Sequence, residues 1–394
     1  MTFEEIKAQE NLYLMQTYGR YPIALVRGEG AKLWDSEGKE YIDLTSGIGV
    51  NVLGHNHPAV VGAVTEQAKK MMHCSNLFYS EPMVTAAKKL CTAAGMKRVF
   101  FSNSGAEANE GMLKLARKYS HDKYGEGRGT ILTLKNSFHG RTITTLKATG
   151  QDKFHQHFAP FPGGFDYIEA GNLHDLKAHT DSSTCAVLME LIQGESGVVP
   201  LEKAYVEGVA AFCKEHDLLL LIDEVQTGVG RTGALFCYQQ YGIHPDIVST
   251  AKGLGGGVPI GAVLAGERCA DTFQPGDHGS TFGGNALCCA AADAVLSIID
   301  EEAFLSEVRA KGDYFMDALR GITSSHIKAV RGMGLMIGIE TDSNTPKEYV
   351  LKLMEKGILA LTAGKNVIRL LPPLVISYAE IDSAVQAMQE VFAE

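Results

Sequence analysis

The stretch DIVSTAKGLGGGVPIGAVLAG, from Asp246 to Gly266, places one lysine between two apolar runs and follows it at once with glycines. A lysine beside glycines is typical of a nucleotide phosphate loop, or of a lysine whose amine does covalent chemistry. A phosphate loop has its glycines before the lysine and a hydroxyl residue directly after it. Here Gly253 follows Lys252, which disfavours the phosphate loop. Taken alone, Lys252 also fits a solvated loop residue, so the neighbouring motifs have to decide.

Short apolar runs alternate with helix-like segments from Arg98 to Ala265. The runs are apolar on both faces, which is typical of parallel strands covered by helices on both sides. They are RVFFSNSG, TILTLKNSFHG, CAVLMELIQG, DLLLLIDEV, DIVST and GAVLAG. We therefore predict an α/β fold with a mainly parallel central sheet flanked by helices. Ligands of such sheets bind at the carboxyl ends of the strands.

The chain changes character after about residue 290. A long amphipathic helix is predicted there because apolar residues recur at helical spacing, namely Leu305, Val308, Phe315 and Leu319. Two strand-like runs and a final helix with a capping box at Ser377 follow. We expect a small α+β domain built from residues 1–45 and 290–394, and a large domain built from residues 46–289.

Charge and cysteine usage exclude several classes of protein. The 394 residues carry 36 basic and 46 acidic side chains, a formal net charge of −10, which argues against a nucleic-acid partner. The N-terminus lacks the pattern of a signal peptide, and no apolar run is long enough for a membrane helix. The eight cysteines show no C-x-x-C spacing, so we expect free thiols in the cytoplasm.

Three groups together point to a cofactor. Ser104 and Glu107 have capping-box spacing, and N–H groups at such a helix start can hold a phosphate, although an ordinary capped helix shows the same pattern. Asp223 ends a strongly apolar strand, where a carboxylate needs a cationic partner. With Lys252 these groups supply the amine, the anion and the phosphate site that pyridoxal 5′-phosphate requires.

Other motifs carry weaker signals. Gly228-x-Gly230-x-x-Gly233 formally matches a dinucleotide fingerprint, but four residues separate it from the strand and the following segment is a poor helix. A nucleotide-binding protein is therefore a distant alternative. Phe138 could lie flat on a cofactor ring, and Arg141 could bind a substrate carboxylate. We interpret His139 as structural, and no histidine pair has the ligand spacing of a metal site.

The assembled motifs resemble the class III, ornithine-type aminotransferases that use pyridoxal phosphate. They follow one another along nearly the whole chain: TYGRYPIALVRGEGAKLWDSEGKEYIDLTSGIGVNVLGHNHP, SNSGAEANE, FHGRT, IQGESGV, LIDEVQTGVGRTG, STAKGLGGGVPIGA, HGSTFGGNALCCA and RLLPPL. The resemblance implies fold type I of the pyridoxal-phosphate transferases and a homodimer with active sites at its interface.

The resemblance also implies roles for single residues. Lys252 would bind the cofactor covalently and move the proton of the substrate, and Asp223 would pair with the pyridine nitrogen. The rest of the cofactor would be held by Ser104, Gly105, Ala106, Phe138, Gln226 and Thr281 of the partner subunit. The substrate would contact Arg141 through its α-carboxylate, Ser280 near its distal end, Tyr18 and Ile48, and the pair Glu195 and Arg369, which resembles the family's switch between two substrates.

We expect the δ-amino group of N2-acetyl-L-ornithine to be transferred to 2-oxoglutarate, giving N-acetylglutamate semialdehyde and glutamate in two half-reactions, a step of arginine biosynthesis. The alternatives within the family are ornithine, succinylornithine and 4-aminobutyrate. A non-catalytic relative with the same fold is a further alternative, but every expected catalytic side chain is present. We expect no metal, no nucleic acid and no membrane as partners.

Overall fold

The computed structural model describes residues 1–393. Its strands are β1 (Leu25–Glu29), β2 (Lys32–Asp35), β3 (Glu40–Asp43), β4 (Arg98–Ser102), β5 (Thr130–Leu134), β6 (Phe165–Ile168), β7 (Thr184–Met189), β8 (Ile192–Gln193), β9 (Val199–Pro200), β10 (Leu219–Asp223), β11 (Ile247–Thr250), β12 (Gly261–Ala265), β13 (Ile327–Met333), β14 (Met336–Thr341), β15 (Ile358–Leu359), β16 (Leu361–Ala363) and β17 (Val367–Leu370).

The helices lie between these strands and at both ends of the chain. They are α1 (Phe3–Tyr13), α2 (Ser46–Gly49), α3 (Pro58–Lys70), α4 (Glu81–Ala94), α5 (Gly105–Tyr124), α6 (Ile143–Ala148), α7 (Leu173–His179), α8 (Lys203–Glu215), α9 (Cys237–Tyr241), α10 (Ala286–Ile299), α11 (Glu302–Arg320), α12 (Lys347–Glu355) and α13 (Tyr378–Val391). No helix among residues 1–393 is long and apolar enough to cross a membrane.

Seven strands form the central sheet, in the order β4-β12-β11-β10-β7-β5-β6. Strand β12 is antiparallel to both of its neighbours, and the other strands run parallel. This is the mainly parallel sheet that the apolar runs predict. The strand with the strongest apolar signal, β10, lies near the middle and is fully buried.

The two faces of β10 explain its sequence. Leu219 and Leu221 pack into one core cluster, and Leu220 and Ile222 pack into another on the opposite side of the sheet. Alternate residues of a strand point to opposite faces, so a strand covered on both sides needs apolar residues at every position. Helices therefore cover both faces, and the open edge at the strand ends is left for a binding site.

Strands β8 and β9 form a two-stranded sheet, and strands from the two ends of the chain form two further four-stranded sheets. One has the order β13-β14-β17-β16, and the other has the order β1-β2-β3-β15. In the second sheet β3, from the N-terminal segment, pairs in parallel with β15 through Ile42 and Ile358. A small domain of residues 1–45 and 290–394 stays a proposal. Its boundary at residue 290 falls inside α10, which packs against α3 and α4.

Candidate active site

The residues expected to bind a cofactor follow the carboxyl ends of the parallel strands. Phe138 comes after β5, Asp223 ends β10, and Lys252 comes two residues after β11. Helix α5 begins at Gly105, just after β4. Since parallel strands end at one edge of the sheet, these groups meet where open α/β folds bind ligands.

Lys252 has an unusual backbone. Its φ angle is +45°, in the left-handed region that side chains other than glycine rarely adopt, and it opens a short 3₁₀ turn. Such strain concentrates at functional positions. The next residue has to be glycine because a Cβ atom on Gly253 would lie 2.6 Å from Val52 Cγ1. The glycines after the lysine thus allow a tight turn that holds Lys252 in place.

The surroundings of Lys252 favour a neutral amine. Burial, and after it the positive charge of Arg369, lower its pKa to about 8, against the opposing effect of Asp223. A lysine with a depressed pKa is a better nucleophile near neutral pH than an exposed one. Lys252 is therefore chemically prepared for covalent bonding.

Asp223 is buried, with 4% of its surface exposed, and is surrounded by donors. His139 Nδ1 lies 2.8 Å from Oδ2, and Asn109 donates to the same oxygen at 2.8 Å. The backbone N–H of Val225 donates to Oδ1 at 3.0 Å. Donors aimed at a carboxylate stabilise its charged form, so these contacts hold a negative charge in an apolar setting.

The start of α5 offers a site for a phosphate group. Ser104 caps the helix and its Oγ accepts a hydrogen bond from the N–H of Glu107 at 3.2 Å. The N–H groups of Gly105 and Ala106, in the first turn, have no partner within the helix. Gly105 is packed closely, since a Cβ there would lie 2.6 Å from Val225 Cγ1. The helix start is therefore open to a phosphate, and it lies beside the segment that follows Asp223.

Phe138 and Arg141 lie together at one side of the site. The guanidinium of Arg141 lies 5.6 Å from the centre of the Phe138 ring and 4.2 Å from that of Phe154. Phe138 meets Phe154 edge to face, with ring centres 5.8 Å apart. Arg141 itself is exposed. Its planar donors are available to a substrate carboxylate while its position is fixed by the aromatic rings.

Arg369 reaches the site from β17 in the C-terminal half of the chain. Its Nη1 donates to the Gly194 carbonyl at 3.1 Å, to Gln226 Oε1 at 3.3 Å and to Glu195 Oε2 at 3.4 Å. Arg369 is 4% exposed, and its Nε has no partner among residues 1–393. A buried arginine held by one long ion pair can exchange that carboxylate for another.

Four further residues expected at the site lie at its margin or on the surface. Ser280 Oγ accepts a hydrogen bond from Asn103 Nδ2 at 3.1 Å, and the neighbouring Thr281 is exposed. Ile48 has a φ angle of +67° in the distorted turn α2, and its side chain is half exposed. Tyr18 is exposed, and the guanidinium of Arg20 lies 5.5 Å from the centre of its ring.

Sequence reasoning missed Glu190 and Asn109 and gave His139 only a structural role. Asn109 also donates to the His139 carbonyl at 2.7 Å, which fixes both residues against Asp223. Glu190 directly follows the apolar strand β7, and Asp223 ends the apolar strand β10 in the same way. An acidic residue in this position is a sequence signal from which Glu190 could have been predicted. Nothing in the local sequence of Asn109 or His139 indicates their contact with Asp223, because the three residues are far apart in the chain.

Comparison with known proteins gives consistent matches. A model of the family described as Aminotransferase class-III matches residues 13–392. The chain is 50% identical to an acetylornithine aminotransferase from Caldanaerobacter subterraneus subsp. tengcongensis, with 98% of each chain covered.

Two solved structures are similar over the whole chain. The ornithine aminotransferase of Toxoplasma gondii is 34% identical, with a TM-score of 0.96 over 100% of this chain and 95% of its own. The acetylornithine aminotransferase of Elizabethkingia anophelis is 33% identical, with a TM-score of 0.89 over 100% of this chain and 99% of its own.

Proposed function

The chain belongs to the class III aminotransferases, and on that premise we propose that it transfers the δ-amino group of N2-acetyl-L-ornithine to 2-oxoglutarate. It is an aminotransferase of fold type I, and its cofactor is pyridoxal 5′-phosphate. The products would be N-acetylglutamate semialdehyde and glutamate, as in arginine biosynthesis. Identity of 50% to an acetylornithine aminotransferase, end to end, supports this donor.

The residues of the site fit the cofactor. The amine of Lys252, the anion of Asp223 and the open start of α5 match its aldehyde, its ring nitrogen and its phosphate. When bound, pyridoxal phosphate supplies a protonated ring that absorbs the negative charge developing on the substrate carbon. We assign the phosphate to Ser104, Gly105 and Ala106, and the ring to Phe138 and Gln226.

Proton transfer falls to Lys252. With substrate and cofactor bound, the free amine of Lys252 would stand at the reacting carbon of the substrate, where it would accept a proton and later return it. Burial favours the neutral amine that can accept this proton. Asp223, held by His139 and Asn109, would keep the ring nitrogen of the cofactor protonated.

The observation that carries the two-substrate reaction is the contact between Arg369 and Glu195, 3.4 Å apart. Glu195 would mask the buried arginine while the amino donor is bound, and 2-oxoglutarate would replace Glu195 with its own carboxylate. Arg141 would hold the α-carboxylate of either substrate, with Ser280, Tyr18 and Ile48 towards its distal end. This exchange lets one pocket accept substrates with one or two carboxylates.

A homodimer is part of the proposal. Leu77, Phe78 and Tyr79 form an exposed apolar segment, and Phe282 is exposed close to it. Asn76 joins the two segments by donating to the Ser280 and Gly283 carbonyls. Exposed apolar surface of this kind is typical of an interface, and here it adjoins Thr281, which we expect to reach the site of the partner.

A cytoplasmic location is also proposed. It is supported by the eight cysteines, which are all free thiols in the structure. Free thiols persist in a reducing compartment.

A substrate panel tests the function. We expect kcat/KM with 2-oxoglutarate as acceptor to be highest for N2-acetylornithine, and at least about tenfold lower for ornithine and 4-aminobutyrate. Succinylornithine, like N2-acetylornithine, has an acylated α-amine. Comparing kcat/KM for these two donors shows how strongly the enzyme distinguishes their acyl groups. A preference for ornithine or 4-aminobutyrate would overturn the donor assignment and leave the aminotransferase assignment intact.

A further inference from the structure

Two buried carboxyl groups lie next to each other at the carboxyl edge of the central sheet. Strands β7 and β10 run parallel, with Met189 opposite Ile222. The next pair in the same register is Glu190 and Asp223. Their exposed fractions are 5% and 4%, so neither has water to screen its charge. Two such groups cannot both ionise cheaply, and the surroundings decide which one keeps its proton.

The carboxyl groups of Asp223 and Glu190 differ in the number of hydrogen bonds that they accept. Asp223 accepts hydrogen bonds from Asn109 and from the Val225 N–H, and His139 Nδ1 lies 2.8 Å from the same carboxyl group. Within residues 1–393, Glu190 accepts one hydrogen bond, from the N–H of Phe138 to Oε2 at 2.9 Å. More donors favour the charged form, so the negative charge belongs to Asp223 and the proton to Glu190.

The charged groups around Glu190 agree with this division. Burial and the charge of Asp223 raise its pKa well above the usual value, and Glu195 acts in the same direction, while Lys252 and the Phe138 N–H oppose them. The positive charge of Arg369 is shared with its partner Glu195. The charged groups that face Glu190 from the surrounding elements are Asp223, Lys252, Glu195 and Arg369.

We propose that Glu190 holds its proton at neutral pH and acts as a positioning residue, a neutral carboxylic acid that fixes Phe138 and leaves Asp223 as the single carboxylate between β7 and β10. Its oxygen accepts the Phe138 N–H, which orients the ring expected to lie on the cofactor. Its O–H is a donor that adds no negative charge. The proposal rests on the proposed function only in that the charge of Asp223 serves the cofactor ring.

Infrared difference spectroscopy tests the protonation directly on the purified protein, without any substrate. The spectrum of wild type minus Glu190→Gln should show the carbonyl stretch of one protonated carboxylic acid, which shifts in heavy water. Glu190→Asp should keep such a band at a changed frequency. A carboxylate band in place of the acid band would overturn the proposal. A failure of the substrate panel would not affect this result, since no substrate is used.

Kinetics test the positioning role. Glu190→Gln keeps an acceptor for Phe138 and a neutral donor, so kcat/KM at neutral pH should stay within about threefold of wild type, while the alkaline limb of the pH profile moves to higher pH. Glu190→Ala leaves the buried N–H of Phe138 unpaired and should lower kcat/KM about tenfold or more. A loss of about a hundredfold or more in Glu190→Gln would mean that an ionised Glu190 is needed, which contradicts the proposal.

Discussion

Single residues gain their chemistry here from burial and backbone geometry. Lys252 has a left-handed φ angle, a half-buried side chain and a pKa lowered to about 8, whereas a loop lysine in water has none of these properties. Three protein groups lie within hydrogen-bonding distance of the Asp223 carboxyl group, whereas the carboxyl group of a surface aspartate is surrounded by water. Local sequence motifs identify both residues, but only the folded chain gives them these properties.

The depressed pKa of Lys252 predicts how the cofactor-free enzyme recovers its cofactor. Only the neutral amine attacks an aldehyde, and the amine is protonated below its pKa of about 8. The rate of covalent attachment of pyridoxal phosphate, followed by visible absorbance, should therefore rise with pH up to about pH 8 and then level off. A rate that keeps rising to the pKa of an ordinary lysine, about 10.4, would contradict this. Lys252→Ala should show no such absorbance.

Asp223→Asn should keep the shape of the site and remove its charge. Without the anion the ring nitrogen loses its proton, so we expect kcat to fall about a hundredfold or more. The matched control is Asp246→Asn, a half-buried aspartate at the opposite end of the sheet that pairs with Arg268 at 3.1 Å. The control should lose stability but keep kcat. If both variants lose kcat equally, the loss in Asp223→Asn comes from a weakened fold and not from a specific effect of the Asp223 charge on the cofactor.

Whole elements place these residues. The turn between β4 and α5 brings the open start of a 20-residue helix to the same edge of the sheet as Asp223 and Lys252. The helix adds its dipole and its free N–H groups to the site. The capping residue Ser104 thus serves both the stability of α5 and the proposed binding of phosphate.

Ser104→Ala separates these two roles when it is compared with Ser377→Ala. Both serines cap a helix, since Ser377 Oγ accepts a hydrogen bond from the N–H of Glu380 in the first turn of α13, at 3.2 Å. Each variant should lose about 1 kcal/mol of unfolding free energy, measured by denaturant titration. Only Ser104→Ala should also bind pyridoxal phosphate more weakly, measured by equilibrium dialysis. Equal affinities in the two variants would exclude Ser104 from the phosphate site.

The elements were largely predictable, and the contacts between them were not. The local composition of runs such as LLLLID is enough to predict a strand, and β7, β10 and β11 lie where the sequence predicts them. The pairing of β7 with β10, which brings Glu190 beside Asp223, depends on strand order that no local pattern contains. For the same reason the contact of His139 with Asp223 cannot be predicted, and the sequence around His139 indicates only a structural role.

At the scale of the whole molecule, distant parts of the chain meet at one site. Arg369, from a sheet near the C-terminus, contacts Glu195 and Gln226 from the segments after β7 and β10. The N-terminal strand β3 pairs with β15. The proposed dimer would add Thr281 of the partner subunit to this assembly. Activity should therefore depend on association as well as on folding.

The dimer can be tested with a charge on the exposed apolar segment. Phe78→Asp places a carboxylate on a side chain that is 66% exposed, and it should convert the dimer to a monomer with much lower activity. Val26→Asp is the matched control, since Val26 is 62% exposed on the edge strand β1. Sedimentation velocity measures the association state. A Phe78→Asp variant that remains dimeric and active would remove this segment from the interface.

The most direct measurement follows the transferred nitrogen itself. Holoenzyme is incubated with 2-oxoglutarate and N2-acetyl-L-ornithine that carries heavy nitrogen at the δ position, and the products are analysed by mass spectrometry. The account predicts that the heavy nitrogen appears in glutamate and that N-acetylglutamate semialdehyde forms in equal amount, with neither product in Lys252→Ala. Heavy nitrogen that remains in the donor, while labelled ornithine passes its own to glutamate, would contradict the proposed function.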